Sequence, residues 1–299
     1  MGSDQARPSV LVSAVEGNAQ KLDGGAMFGN VPKPMWERWF NTDDKNRIDL
    51  ACRCLLIEIG DKKILCETGI GAFMEPKLAD RFGVQDPQTH HLLQSLKKLG
   101  LTHESIDYVI LSHLHFDHAG GILPTFAEIQ AGHSTLLFPN AKYITSEEAF
   151  QRALTPHLRD RASFIPDLTE KLTASGRLIL NNKNQIPGFF EDHVHFFFSQ
   201  GHTPGQMLTT VSGETDSVVF MGDLVPGSAW MHLPITMGYD RFPEKLIDEK
   251  ELLMASMSLD KSWFFFTHDP IYACSRVTKS ASGKYECTGP RTDLTRQQI

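Results

Sequence analysis

Ten consecutive residues, 112–121, constrain this chain more than any other part of its sequence. They follow a short apolar run at 108–111 and contain His113, His115, Asp117 and His118. Imidazole and carboxylate are the ligand pair that suits zinc, iron and manganese. A cluster this dense is not expected by chance in a chain with 13 histidines among 299 residues. The segment therefore predicts a metal site directly after a buried strand.

The spacing inside this segment favours two adjacent cations. His113 and His115 point the same way in an extended chain, because side chains repeat every two residues along a strand. Asp117 and His118 then turn towards a second position nearby. The alternative interpretation is a solvated histidine-rich loop. No single turn closes a dinuclear site, so the remaining ligands must come from distant parts of the chain.

Three later ligand candidates each stand just beyond an apolar run. The runs and candidates are 195–198 with His202, 217–221 with Asp223, and 263–266 with His268. Each reads as a buried strand feeding a loop, and functional residues usually lie on loops at one end of a sheet. If these loops converge, the cations share seven side chains. The expected sets are His113, His115 and His202 for one cation, Asp117, His118 and His268 for the other, and Asp223 between them.

In motif order and spacing, the chain resembles the metallo-β-lactamase-fold hydrolases. The resemblance rests on the His-x-His-x-Asp-His run, the segment 201–205, the pair 222–223 and the late His268, and it covers residues from about 50 to 270. It implies an α+β fold, a four-layer αββα sandwich with the metals at one edge of the two sheets. The opening segment, residues 22–36, is similar to the quorum-quenching lactonase branch of the family.

Two positions depart from that family's pattern. Members commonly carry Asp-Thr-Gly after the early strand, where this chain has Glu67 in place of the aspartate. A carboxylate there can still fix the ring orientation of a ligand histidine. Better-known acyl-homoserine lactonases place a tyrosine three residues beyond the bridging aspartate, where this chain has Pro226. Tyr239 and His232 are the candidates to replace it as a catalytic group.

Composition narrows the class of protein further. With 41% hydrophobic residues the chain can build one large core, so we expect a single domain over 1–299. Within it we expect an N-terminal loop extension at 20–45 and a helical insertion over the site at 141–178. A net charge of -7 without a dense Lys/Arg run argues against a nucleic-acid partner.

Location and membrane contact are predicted from what the sequence lacks. It has no apolar stretch of about 18 residues, so no membrane span is expected. The first residues lack the apolar core of a signal peptide, and the five cysteines form no even framework. Reduced thiols in a cytoplasmic protein are the simplest interpretation.

Local patterns predict several elements that position the site. They are a hairpin turning at Gly60-Asp61, helices at 90–99 and 243–259, and a helix opened by a capping box of Thr145 and Glu148. Beyond Cys274 the signals fade, and the last dozen residues are expected to fray. His193 and His195 form a second alternating pair, but no Asp-His follows, so a structural role is expected.

The ligand set predicts hydrolysis without a protein nucleophile. Zinc can bring the pKa of a bound water from about 15.7 to about 7. A metal-bridging hydroxide would then attack the substrate carbonyl, and Asp117 would carry a proton to the leaving oxygen. Two divalent cations are expected, zinc first, with manganese, iron and cobalt also allowed. The leading hypothesis is opening of a lactone or ester, with an N-acyl-homoserine lactone as the first candidate.

Other activities use the same ligands and stay open. They are hydrolysis of a thioester, as in glyoxalase II, hydrolysis of an organophosphate and, less favoured, an iron-dependent dioxygenase reaction. The small-molecule substrate is expected to lie against Met27, Phe28 and Trp36, which precede the first clear strand. The alternatives for these aromatic residues are a packed cluster beneath a loop or the contact of a homodimer.

Overall fold

The structure is a computed structural model that describes residues 9–182, 190 and 192–299. Two β-sheets pack face to face, and helices cover their outer surfaces. This is an α+β fold with four layers in the order αββα, so the predicted fold class is confirmed. Within the described ranges, no helix is long and apolar enough to cross a membrane.

The first sheet has seven strands, antiparallel at one end and parallel at the other. In spatial order they are β15 (Gln297–Gln298), β1 (Val10–Glu16), β4 (Arg53–Ile59), β5 (Lys62–Cys66), β6 (Tyr108–Ile110), β7 (Lys142–Ser146) and β8 (Leu178–Asn181). β5 to β8 run parallel, whereas β15, β1, β4 and β5 alternate in direction. The predicted hairpin at Gly60-Asp61 joins β4 and β5.

The second sheet has six strands. In spatial order they are β14 (Tyr285–Arg291), β13 (Cys274–Lys279), β12 (Ser262–Phe265), β11 (Ser217–Phe220), β10 (Gln206–Ser212) and β9 (Val194–Ser199). Only β11 and β12 pair in parallel. A separate hairpin consists of β2 (Gln20–Asp23) and β3 (Arg47–Leu50).

Helices connect these strands. They are α1 (Gly24–Phe28), α2 (Lys33–Trp36), α3 (Pro76–Arg81), α4 (His91–Lys98), α5 (Phe116–Ala119), α6 (Phe126–Gln130), α7 (Glu147–Leu154), α8 (Leu168–Ala174) and α9 (Pro243–Ser256). The helices α4, α7 and α8 cover the first sheet, and α9 covers the second. The predicted helices at 90–99 and 243–259 thus exist with slightly shorter bounds.

Strand β4 shows why the sequence of a central strand reads as continuously apolar. Cys54 and Leu56 pack beneath the outer helices, whereas Leu55 and Ile57 face the second sheet. Successive side chains point to opposite faces. Since both faces are buried in a four-layer sandwich, no alternation with polar residues remains.

Two predicted segments differ from the structure. Residues 20–45 are not a loop extension, since they contain β2, α1 and α2, and the Asp23 carboxylate caps α1 by accepting from the Ala26 amide at 2.8 Å. The insertion at 141–178 is wrong at its start, because Lys142–Ser146 is a strand of the first sheet. Its helices link the parallel strands β7 and β8, a connection that needs a crossover.

The end of the chain is ordered, contrary to the expected fraying. β15 pairs with β1, and the Ile299 side chain is buried between the sheets. Ala14 also donates a backbone hydrogen bond to the Leu294 carbonyl at 2.8 Å. These contacts pair the last residues with the edge of the first sheet, which is long-range information that a local pattern does not contain.

Candidate metal centre

All seven predicted ligands come together at one edge of the two sheets. Four segments carry them, each directly after the end of a strand: the loop and helix α5 that follow β6, and the loops after β9, β11 and β12. Their side chains are buried, with exposures of 8% or less. The residues are His113, His115, Asp117, His118, His202, Asp223 and His268.

The ligand atoms form two groups that share Asp223. His113, His115, His202 and Asp223 offer atoms within 4.8 Å of one another, and so do Asp117, His118 and His268. Asp223 Oδ2 lies 3.1 Å from His202 Nε2. Its other oxygen, Oδ1, lies 3.3 Å from His118 Nε2 and 3.2 Å from His268 Nε2. The carboxylate thus faces both groups.

In the second group, hydrogen bonds fix which ring nitrogens carry protons. His268 Nδ1 lies 2.7 Å from the Ala51 carbonyl, and His118 Nδ1 bonds to the Glu67 carboxylate. Both acceptors place the ring proton on Nδ1. The two Nε2 atoms lie 3.2 Å apart, and both face Asp223 Oδ1. A cation bound between them would take the place of the Nε2 protons that the carboxylate attracts, so these residues fit a metal ion.

The first group shows the same arrangement. His202 Nδ1 lies 2.9 Å from Asp240 Oδ1, which leaves Nε2 bare towards His115 Nδ1 at 3.2 Å. Ser112 Oγ donates to Glu67, so it accepts from His113 Nδ1 at 2.9 Å. His113 Nε2 and Asp223 Oδ1 are buried without a hydrogen-bond partner in the described part of the chain. Bare acceptors pointing at one space are what a cation requires.

Glu67 connects the two groups from behind. Its backbone adopts φ +66°, a region that non-glycine residues rarely enter, and its side chain is 1% exposed. In this backbone conformation its carboxylate bonds to both Ser112 and His118. Strain of this kind is found where function requires a fixed geometry. The longer carboxylate that replaces the family's aspartate therefore orients a candidate ligand, as the sequence predicted.

Glycines let the ligand loop approach the segment after β5 that carries Glu67. A Cβ on Gly121 would lie 2.0 Å from the Thr68 carbonyl oxygen, and one on Gly120 would lie 2.3 Å from the Ile70 carbonyl oxygen. Any larger residue would push the segment carrying His118 away.

Carboxylates divide the histidines of the centre into two kinds. Burial lowers the pKa of His118, His202 and His268, but the neighbouring carboxylates outweigh it and hold that pKa above its usual value. Burial, together with neighbouring imidazoles, lowers the pKa of His113 and His115 well below the usual value, so both rings are neutral. Burial raises the pKa of Asp223, but the imidazoles of His118, His202 and His268 outweigh it and hold that pKa well below its usual range. Neutral imidazole and ionised carboxylate are the ligand forms, so a bound cation would displace the protons that His118, His202 and His268 attract.

A cavity of about 440 Å³ opens above the two groups. Its apolar lining includes Met27, Phe116 and Met237, and its floor includes Asp117 and Asp223. Tyr239 also lines it. Burial, with the carboxylates of Asp117 and Asp23, raises the pKa of the Tyr239 phenol to about 12. The phenol is therefore a neutral hydrogen-bond donor beside the candidate metal centre.

Three predicted site residues lie elsewhere. Phe28 and Trp36 are buried, at 0% and 1% exposure, and Phe28 stacks between Trp36 and Trp230 with centroid distances of 5.6 and 4.5 Å. They form part of the core beneath the second sheet, because large flat rings gain more from stacking and burial than from lining a wet pocket. Only Met27 of the predicted wall lines the cavity.

His232 is also absent from the cavity. It is exposed and lines a different groove beside Met35 and Trp39, which are 51% and 46% exposed. The structure therefore corrects the sequence-based choice between Tyr239 and His232 in favour of Tyr239. The exposed Met35 and Trp39 leave the homodimer contact a prediction. His195 lies on β9 of the second sheet and His193 directly before it, with His193 Nδ1 3.2 Å from the Ser212 carbonyl.

Sequence reasoning missed two residues that hold ligands in place. Gln20 Nε2 donates to Asp117 Oδ2 at 2.6 Å, and Asp240 accepts from His202. Neither stands in a recognisable motif. The only local signal is that Asp240 lies near Tyr239, within a segment that follows the bridging Asp223.

Comparisons with known proteins agree with this geometry. The sequence model described as the metallo-beta-lactamase superfamily matches residues 47–268, well over half of the chain. The chain therefore belongs to the metallo-beta-lactamase superfamily. With the His/Asp cluster in place, it is a metal-dependent hydrolase of that superfamily.

The relatives include lactonases. The N-acyl homoserine lactonase AiiA of Bacillus thuringiensis subsp. kurstaki is 24% identical over 237 residues, which cover 74% of this chain and 82% of the lactonase. A probable metal-dependent hydrolase from Staphylococcus aureus is 29% identical and superposes with a TM-score of 0.81, covering 95% of this chain and 99% of that chain.

A second solved structure, AidC, is described as a dizinc quorum-quenching lactonase in complex with a product. It is 22% identical, with a TM-score of 0.73 and coverage of 94% of this chain and 95% of that chain. At this identity the likeness concerns the fold. The chain thus resembles the quorum-quenching lactonase branch, as predicted.

Proposed function

We propose that this protein is a dinuclear hydrolase that opens lactones, with N-acyl-homoserine lactones as the first candidate substrates. The observation that carries the proposal is the position of Asp223, whose two oxygens face two separate groups of buried imidazoles. A carboxylate between two ligand sets suits a pair of cations a few ångströms apart. The lactonase relatives and the apolar cavity support the choice of substrate.

We assign the seven ligands to the two cations as follows. His113, His115 and His202 would hold the first, Asp117, His118 and His268 the second, and Asp223 would contact both. Five imidazoles and two carboxylates suit zinc first. When bound, such a pair supplies an activated water and Lewis acidity towards a carbonyl.

The chain's own side chains complete the reaction. The neutral phenol of Tyr239 donates a hydrogen bond to the carbonyl oxygen of the substrate, where negative charge develops. Asp117, whose carboxylate lines the cavity, would take the proton that the attacking water loses and pass it to the leaving ring oxygen as the ester bond breaks. Gln20 holds that carboxylate in place. No protein nucleophile is required.

The cavity also fits a small substrate with an apolar tail. Its volume of about 440 Å³ lies within the usual range for small-molecule sites, which is roughly 300 to 1,000 Å³. Leu22, Met27 and Phe82 contribute apolar surface to it. An acyl chain would lie against these residues, with the lactone ring towards Tyr239 and Asp117.

The test is a substrate panel on zinc-loaded protein. It compares N-acyl-homoserine lactones of several chain lengths with simple esters, a thioester and a phosphotriester, by kcat/KM. The control is Asp223→Ala, which removes the shared carboxylate and is expected to reduce every activity by at least about 100-fold. The proposal expects a lactone to be the best substrate. Efficient turnover of the thioester or the phosphotriester with no lactone opened at any chain length would overturn it, and oxygen uptake by an iron-loaded form would replace hydrolysis.

A further inference from the structure

Basic side chains surround the cavity although the chain as a whole is acidic. Acidic residues outnumber basic ones by 36 to 29 in the sequence. Five basic residues nevertheless line this one cavity: Lys21, Lys45, Arg47, Arg81 and Arg159. Its lining carboxylates are Asp23, Asp117 and Asp223, and the last two belong to the candidate metal centre. Basic residues therefore outnumber acidic ones around this cavity, whereas acidic residues outnumber basic ones in the whole chain.

Two of these five cations are already compensated. Lys21 Nζ lies 2.9 Å from Asp49, and Arg47 Nε lies 2.9 Å from Asp43. In the described ranges, no carboxylate lies within 4.0 Å of the charged groups of the other three, which are Lys45, Arg81 and Arg159. Their charges are left for a ligand or for solvent.

Four of the cations stand on neighbouring elements. Lys21 is on β2, Arg47 begins β3 and Lys45 lies in the turn before it, and Arg81 ends α3. Arg47 ties these elements together by donating to the Asp80 carbonyl at 3.1 Å. The Arg81 guanidinium lies over the Phe82 ring, at 5.8 Å from its centroid, and Phe82 itself lines the cavity. The group forms one basic wall.

The fifth basic residue, Arg159, does not belong to this wall and lines the cavity from a different part of the chain. Arg159 belongs to the segment between α7 and α8, and its Nη2 donates to the Gly238 carbonyl at 2.8 Å, next to Tyr239. Its position is therefore fixed beside the proposed hydrogen-bond donor. An acyl tail without charge requires none of these groups.

We propose that the preferred lactone or ester substrate carries an anionic group, a carboxylate or a phosphate, away from the bond that is cleaved, and that Lys45 and Arg81 bind it; a lactone with an uncharged acyl chain would then be a poorer substrate of the same centre. This inference rests on the proposed hydrolytic function. Uncompensated cations near a centre built for two divalent cations add like charge, and an anionic ligand relieves it. Guanidinium groups match carboxylate and phosphate oxygens in geometry. A basic cleft in an acidic protein also draws anions towards its opening.

The test uses two esters that differ only in distal charge. Mono-4-nitrophenyl adipate carries a carboxylate at the far end, and 4-nitrophenyl hexanoate is its neutral counterpart. Zinc-loaded protein is expected to prefer the adipate by about tenfold or more in kcat/KM, mainly through KM, because the charge is remote from the reacting carbonyl.

Binding provides a readout that does not depend on turnover. The corresponding anilides resist hydrolysis, and calorimetry compares the monoanilide of adipic acid with hexananilide. We expect the anionic anilide to bind about tenfold tighter or more. An anilide with a phosphonate in place of the distal carboxylate shows which anionic group the site prefers. The anilide that binds more tightly identifies the substrate group as a carboxylate or a phosphate.

The variants are Arg81→Gln and Lys45→Gln, singly and together, and the matched control is Lys77→Gln. Lys77 is exposed on the same helix α3, one turn before Arg81, and does not line the cavity. In the double variant the preference for the anionic ester and the anionic anilide is expected to fall about tenfold. In the control it is expected to persist.

The outcomes separate this inference from the proposed function. Equal kcat/KM values and equal affinities for charged and neutral probes, in wild type and variants alike, overturn the anion site. If no ester or lactone is hydrolysed but the charged anilide still binds more tightly through Arg81 and Lys45, hydrolysis is refuted and the anion site is supported.

Discussion

Gln20 and Asp117, 97 positions apart in the sequence, are joined by a buried hydrogen bond of 2.6 Å from Nε2 to Oδ2. Gln20 begins β2 and is fully buried. Its amide orients the carboxylate without neutralising it, and the same Oδ2 lies 3.6 Å from His268 Nε2. The hairpin of β2 and β3 therefore contributes a side chain that orients a candidate metal ligand.

Removing that amide tests its role. Gln20→Leu keeps the shape of the side chain but leaves Asp117 free to rotate, so we expect kcat/KM to fall about 10- to 100-fold, as for other groups that orient metal ligands. Zinc content by mass spectrometry and activity are measured together. The matched control is Gln88→Leu at an exposed position. Wild-type activity in Gln20→Leu would contradict the assignment.

Tyr239 is expected to act through its hydroxyl. Tyr239→Phe removes a donor to the developing oxyanion and should lower kcat by about 100-fold, with a smaller change in KM. Because the pKa of the phenol is raised to about 12, the donor stays protonated at lower pH, and the variant should keep the shape of the wild-type pH profile below that value.

The control for Tyr239 is the residue that the sequence offered in its place. His232→Gln alters an exposed side chain in a different groove, so its kcat/KM should stay within about twofold of wild type. A larger loss in His232→Gln than in Tyr239→Phe would reverse the assignment.

The metal ligands were predictable because the information for them is local. His113, His115, Asp117 and His118 sit within one segment, and each distant ligand directly follows an apolar run that reads as a strand. Ligands at strand ends converge once the strands join into sheets. The pattern of strands and loops in the sequence was therefore enough to identify them.

Other features depend on long-range packing that no local pattern contains. Phe28 and Trp36 look like a pocket wall in the sequence, yet Phe28 stacks in the core between Trp36 and the distant Trp230. Gln20 lies on β2, which pairs with β3, and its contact with Asp117 joins positions far apart in the sequence. The basic wall likewise combines residues from β2, β3 and α3, so it appears only in three dimensions.

Glu67 and Asp240 should each support a different cation. Glu67 bonds directly to His118 of the second group and reaches His113 of the first only through Ser112. Asp240, in contrast, holds His202 of the first group at 2.9 Å. Glu67→Gln and Asp240→Asn keep the size of each side chain but remove its charge. Each variant should lose about 10- to 100-fold in affinity for one of two cations, measured by competition with a coloured chelator.

The two sites are told apart by combining variants. Glu67→Gln joined to His268→Ala changes one site twice, and its losses should not add, whereas Glu67→Gln joined to His115→Ala should affect both sites. Glu75→Gln, at an exposed carboxylate, is the control. Additive losses in the first pair would show that Glu67 does not act through the second group.

Lys250 lies buried on α9, where its Nζ donates to the carbonyls of Trp230 at 3.0 Å and Ile235 at 2.6 Å. Burial lowers the pKa of its ammonium to about 7, although the Asp240 carboxylate opposes the change. A neutral amine has two N–H groups, which matches the two carbonyls. The residue supports the segment that carries Tyr239 and Asp240.

This lowered pKa predicts a dependence of stability on pH. Between about pH 7 and the ordinary lysine pKa near 10.4, the unfolded chain binds a proton that the folded protein lacks. The free energy of unfolding should therefore rise with pH in this window, by roughly 1 kcal/mol per pH unit from this group. Below about pH 7 the lysine is protonated in both the folded and the unfolded state. The free energy of unfolding is then reduced by the full cost of burying the charge, and it no longer changes with pH through this group.

Lys250→Met removes the titrating group, and urea unfolding of zinc-loaded protein at several pH values measures the slope. The variant also leaves two carbonyls unpaired, which lowers stability at every pH by about 1–3 kcal/mol, so the comparison concerns slopes and not absolute values. Lys245→Met, exposed on the same helix, should keep the wild-type slope. If wild type and Lys250→Met change in parallel from about pH 7 to about pH 9, Lys250 is charged in the folded protein, and the buried amine is excluded.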